Sequence, residues 1–137
     1  MSTNLQRAVV ITVLATAFGL AHAADVAVKL TGAQEVPAIT TDAQGSGTFT
    51  IGNDMSVSGS ITTSGIMGTA AHIHMAEMGK NGPVAIALTK TSDNVWSVPA
   101  GSKLTDEQYT AFKAGNLYVN VHSDAHKPGE IRAQLKP

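Results

Sequence analysis

From Asp25 onward, apolar and polar residues alternate with a period of two. Val26, Val28 and Leu30 alternate with Ala27, Lys29 and Thr31, and Phe49 and Ile51 with Thr48 and Thr50. Val57, Gly59 and Ile61 alternate with Ser56, Ser58, Ser60 and Thr62. Residues two apart on a strand share a face, so each run predicts a strand with one side on a core and the other toward water. Gly52-Asn53-Asp54 predicts a turn between two of these runs, making a hairpin of 47–52 and 55–63. Further strands are predicted at 69–75, 83–89, 94–98, 116–122 and 129–135. The breaks between them carry turn residues: Lys80-Asn81-Gly82-Pro83, Thr91-Ser92-Asp93-Asn94 and Lys127-Pro128-Gly129. Short strands with frequent turns describe an all-β chain, either an antiparallel sandwich or a partly closed barrel.

One segment departs from this pattern. Thr105-Asp106-Glu107-Gln108 fits a capping box, and Gly115 is placed to end the helix it starts. A short helix is therefore predicted near 105–114, with Tyr109 and Phe112 toward the core. It carries no evident chemistry.

The first residues follow another logic. Arg7 is the only charge before Asp25, Ala8 to Leu20 are mainly apolar, and Ala21-His22-Ala23 supplies the small residues of a cleavage site. Residues 1–23 are thus expected to be a signal peptide, with 24–137 forming a single mature domain. The apolar run is shorter than the roughly 20 residues that span a bilayer, so no membrane span is expected in the mature form. Such a protein is exported, to the periplasm or the extracellular medium.

Composition narrows the chemistry. The 137-residue chain has no cysteine, which removes disulfides, thiolate nucleophiles and sulfur zinc sites. A formal net charge of −1 gives no basic surface for nucleic acid. Hydrophobic residues make up 43%, too many for a disordered chain. There is no G-x-S-x-G elbow and no phosphate-binding glycine loop.

What remains is histidine. Beyond residue 23 the chain has four, all in two short segments: His72 and His74, then His122 and His126. On a strand, His72 and His74 share one face while Ala71, Ile73 and Met75 take the other. In 117–122, Leu117, Val119 and Val121 read as core, which puts Tyr118, Asn120 and His122 together on the opposite side. If the two strands are neighbours, three imidazoles converge, with His126 or Asp124 as a further ligand. Neutral imidazole binds both copper and zinc. Met67 and Met78 fall in loops, and Met75 is assigned to core filling. In the last strand Ile131, Ala133 and Leu135 face the core, leaving Glu130, Arg132 and Gln134 as a polar row. That row reads first as a solvent-facing ladder with a charge pair, and second as a guide for anions.

Several of these stretches together resemble the CHRD domain, a module of chordin that also occurs singly in exported bacterial proteins. They are Leu30-Thr31-Gly32-Ala33-Gln34-Glu35-Val36-Pro37, Ala71-His72-Ile73-His74, Asn81-Gly82-Pro83-Val84, Gly115 to His122, and Pro128 to Leu135. The resemblance implies an all-β, immunoglobulin-like sandwich, and its motif positions include His72, His74, His122, Glu130 and Arg132. The H-x-H strand, the later histidine-ended strand and the C-terminal arginine are also loosely similar to copper–zinc superoxide dismutase. Against that likeness, the cysteine pair and the long histidine-rich zinc loop are missing.

These readings converge on an exported protein binding a transition metal, copper first and zinc second. The ligands would be His72, His74, His122 and His126, with Tyr118, Asn120, Asp124, Glu130 and Arg132 around them. Buffering or delivery is expected ahead of catalysis, because no acid–base pair stands out. Two rivals stand beside it: a protein-interaction or adhesion module with a structural histidine–arginine network, binding an unidentified protein partner, and a superoxide-dismutase-like metalloenzyme.

Overall fold

The computed structural model describes residues 23–137; the expected signal peptide lies outside the described residues, apart from Ala23. The described residues form nine strands: β1 (Ala24–Thr31), β2 (Gln44–Ile51), β3 (Val57–Ser64), β4 (Gly68–Met75), β5 (Val84–Ala87), β6 (Thr89–Ser92), β7 (Val95–Ser97), β8 (Leu117–Ser123) and β9 (Ile131–Leu135). The helix α1 (Asp106–Lys113) lies between β7 and β8, and a 3-10 turn (Gly32–Gln34) follows β1. Among the described residues, no helix is long and apolar enough to cross a membrane.

All strands join one antiparallel sheet, in the order β5-β4-β8-β9-β1-β2-β3-β7-β6. The strands at its two edges, β5 and β6, are consecutive in the chain and separated only by Leu88. Leu88 N–H donates to Ala71 O of β4 at 2.9 Å, so the chain steps directly from one edge to the other. The sheet thereby curls into a nearly closed, barrel-like form. Hydrogen bonding does not divide it into the two separate sheets of an immunoglobulin-like sandwich.

The alternation dictates the interior. Val26, Val28, Leu30, Phe49, Ile51, Val57 and Ile61 are buried, as are Ala71, Ile73, Leu117, Val119, Val121, Ile131, Ala133 and Leu135. The predicted hairpin forms with Ile51 opposite Val57. β6 was not predicted, because Thr89–Ser92 is exposed throughout and has no alternation to read. α1 has the expected capping box: Gln108 N–H donates to Thr105 Oγ1, and Thr105 N–H donates to Gln108 Oε1. Phe112 is fully buried, and Tyr109 packs against the core from its edge.

The polar side of β4, β8 and β9 departs from expectation because it does not face water. Arg132 is 2% exposed and Glu130 7%. Three connecting loops lie over this face and are laced together. Asn81 Nδ2 donates to Val36 O, Gln134 Nε2 donates to Ala76 O and Gly115 O, and Thr41 Oγ1 donates to Glu130 Oε2. The expected surface ladder with a Glu130–Arg132 pair is therefore replaced by a covered polar layer. The one ion pair among the described residues is the exposed Lys80–Glu77.

Candidate metal centre

β4 and β8 are direct neighbours, and their register decides which side chains meet. His72 lies opposite Asn120, His74 opposite Tyr118, and Ala70 opposite His122. Both strands turn their apolar residues to the core, so both present histidine on the same covered face. One ring nitrogen from each of His72, His74 and His122 falls within 4.8 Å of the others, close enough to hold one metal ion.

Backbone carbonyls fix the rings. His74 Nδ1–H donates to Gly82 O at 3.0 Å, and His122 Nδ1–H donates to Lys127 O at 2.7 Å. In each neutral ring this leaves the lone pair on Nε2. His122 Nε2 faces His72 Nδ1 at 3.0 Å, near the roughly 3.3 Å between two imidazole nitrogens sharing a tetrahedral ion. His74 Nε2 is buried and has no hydrogen-bond partner. Burial, with His122 and His74 nearby, pushes the His72 pKa below the usual imidazole value. Burial does the same to His74 against the opposing effect of the Gly82 bond, so both rings favour the neutral form that ligates metal.

A column of flat groups supports this set. The Tyr118 ring stacks on His74 with centroids 4.7 Å apart, and the Arg132 guanidinium lies 3.5 Å from the Tyr118 ring centroid. Arg132 in turn donates to Asn81 Oδ1 and Lys80 O, fastening the 76–83 loop that carries Gly82. Asn120, 2% exposed, lies in the same layer, with Nδ2 directed at Pro128 O.

The remaining sequence candidates fall elsewhere. His126 and Asp124 are not in the three-histidine group. Asp124 is exposed, and His126 N–H donates to Ser123 in the turn after β8. Glu130 accepts from Ser123 Oγ and Thr41 Oγ1, bracing that turn against the 32–43 connection. Met67 and Met78 remain exposed, whereas Met75 packs against the core.

Sequence reasoning missed Glu35. It is 6% exposed, follows the 3-10 turn, and is brought beside Arg132 and Asn120 by the pairing of Thr31 with Arg132. Burial raises its pKa, opposed by Arg132, by the Asn120 amide and by the Val36 backbone. The sequence offers only a weak signal for it, a single carboxylate in a turn closed by Gly32 and Pro37.

In comparison with protein families, the model of the CHRD domain matches residues 26–135. No curated protein and no solved structure matches the chain.

Proposed function

The chain belongs to the CHRD domain family, and from that premise we propose that it is an exported protein that binds one transition-metal ion, copper first and zinc second, through His72, His74 and His122. The observation that carries the reading is the paired anchoring of His74 and His122. Each gives its Nδ1 proton to a backbone carbonyl, which leaves Nε2 to ligate. Copper ranks first because divalent copper outranks zinc at nitrogen sites.

Buffering or delivery fits this donor set better than catalysis. Three imidazoles with no fourth protein group in the cluster among the described residues would bind an ion while leaving one side of it exchangeable. The protein's own contribution is to hold His74 and His122 in the right tautomer and orientation, and to favour the neutral form of His72 and His74 by burying them.

The test is a titration of chelator-stripped protein with Cu(II), Cu(I) and Zn(II), with the His72→Ala/His74→Ala double variant alongside. One tight equivalent in the wild type, lost in a variant that keeps its β-sheet circular dichroism, is the expected result. Bound copper should also raise the thermal midpoint, by up to about 4 kcal/mol of added stability when free metal is a thousandfold above Kd. A double variant that binds copper as tightly as wild type would sink the assignment. The His72–His122 hydrogen bond favours a second reading, a purely structural network in an interaction module. In that case the variant would lose stability and the wild type would take up no metal.

A further inference from the structure

Among the described residues, four buried side-chain polar atoms have no hydrogen-bond partner, and three of them belong to residues grouped around Asn120: His74 Nε2, Glu35 Oε1 and Asn120 Oδ1 itself. The fourth, Trp96 Nε1, is on β7. The lone pair on His74 Nε2 can take a cation or a hydrogen-bond donor. The other two atoms are acceptors and call for a donor. An apolar interior would charge the full desolvation cost for each acceptor left unmatched, so their grouping needs an explanation.

The three residues are held together by construction. Asn120 lies directly opposite His72 in the β4–β8 pairing. Gly129 brings the Glu35 turn against Asn120: a Cβ on it would lie 2.5 Å from Asn120 Nδ2 and 2.6 Å from Glu35 Oε1. Arg132 is the natural partner for a buried carboxylate, yet its hydrogen bonds go to Asn81 and Lys80. Glu35 also lines a cleft of about 310 Å3 together with Gln34, Val36, Met78, Arg132 and Gln134. It therefore lies between that cleft and the polar layer behind it.

We propose that Glu35 and Asn120 receive the protons of a small protic ligand, water in the first instance, that occupies the fourth position of the ion held by His72, His74 and His122. The inference rests on the metal reading above. Water on a divalent ion offers two strongly polarised protons and no free acceptor role, which complements two unpartnered acceptors. Glu35 and Asn120 are then positioning residues: they hold the non-protein ligand and disfavour one that brings an anion without a proton.

The test uses Cu(II) as the probe ion and azide as the competing ligand, at pH 8, followed by the azide-to-copper charge-transfer band. Azide presents lone pairs to Glu35 in the wild type but meets an amide N–H in Glu35→Gln. The variant should bind azide at least tenfold more tightly. Equal azide affinity in the two copper-loaded proteins would overturn the proposal, and is what a Glu35 that merely shares a proton with Asn120 would give. A second measurement needs no variant. Proton ENDOR of the copper-loaded wild type in H2O and D2O should show strongly coupled exchangeable protons of a coordinated water, and their absence would also overturn it. Failure of the metal reading is separately visible, because the wild type would then take up no copper at all.

Discussion

His74 and Tyr118 lie face to face, their rings 2° from parallel with centroids 4.7 Å apart, and a single backbone unit fastens both. Gly82 O accepts the His74 Nδ1 proton, and Gly82 N–H donates to Tyr118 Oη at 3.2 Å. The Arg132 guanidinium also lies against the Tyr118 ring. The His74 imidazole is thus held by a ring stack and by a hydrogen bond at one nitrogen, and only Nε2 is left to act. A ring fixed in this way needs little reorganisation to ligate, which is how supporting contacts raise metal affinity.

Gly82→Ala tests that arrangement. A Cβ at this position would collide with the Met75 carbonyl oxygen, so the loop must shift and release both rings. Loss of such supporting contacts typically lowers metal affinity about 10–100-fold. Copper affinity measured by competition with a chelator should fall by that order, and the thermal midpoint should fall as well. A variant matching wild type in both would show that the Gly82 clamp is dispensable.

Tyr118 can be dissected by two substitutions. Tyr118→Phe keeps the stack on His74 and the face under Arg132 but loses the hydroxyl that accepts from Gly82. It should cost about 1 kcal/mol in urea unfolding. Tyr118→Leu removes the ring, opens space in a buried layer and leaves the guanidinium without its aromatic face. About 2–4 kcal/mol is expected there. If the two variants are equally stable, the stack contributes nothing and the hydroxyl carries the whole effect.

Much of this was legible in the sequence, and the boundary is physical. Period-two alternation and a capping box are local signals, so the faces of β4 and β8 and the start of α1 could be read directly. The placement of Tyr118, Asn120 and His122 on one side follows from Leu117, Val119 and Val121 on the other. That β4 and β8 are neighbours could not be read, because strand order is settled by contacts far apart in sequence. Glu130 and Arg132 looked solvent-facing for a related reason: three loops cover them, and loop placement leaves no periodicity. Glu35 was missed because the Thr31–Arg132 pairing brings it beside Arg132 and Asn120, and no spacing in the chain encodes that.

The pH dependence of the metal-free protein follows from His72 and His74. Both have folded pKa values below the ordinary 6.5, mainly through burial. A depressed pKa means that the unfolded chain takes up the proton first. The corresponding stability is present above pH 6.5 and is lost as pH falls through the folded values. Urea midpoints of stripped protein should therefore decline below pH 6.5, and the decline should be shallower in His72→Gln/His74→Gln. Copper affinity should weaken over the same range, since protons and metal compete for the same nitrogens. A midpoint that stays flat from pH 7 to pH 5 would contradict the buried, neutral state of these rings.

Glu35 has the opposite sign. Its folded pKa is raised above 4.5, with burial as the main cause. The stability it contributes is present below pH 4.5 and is lost as pH rises through the folded value. Ionised Glu35 therefore weakens the metal-free fold near neutral pH, and an uncharged isostere removes that weakness. Glu35→Gln should be more stable than wild type at pH 7 without metal, with the advantage vanishing below pH 4.5. When copper is bound, Glu35 gains a proton donor in the fourth ligand and the advantage should shrink. Urea unfolding of both proteins, with and without copper, reads all of these differences. A Glu35→Gln protein less stable than wild type at pH 7 without metal would mean that the carboxylate is already well paired within the fold, and would leave no reason to assign it to a ligand.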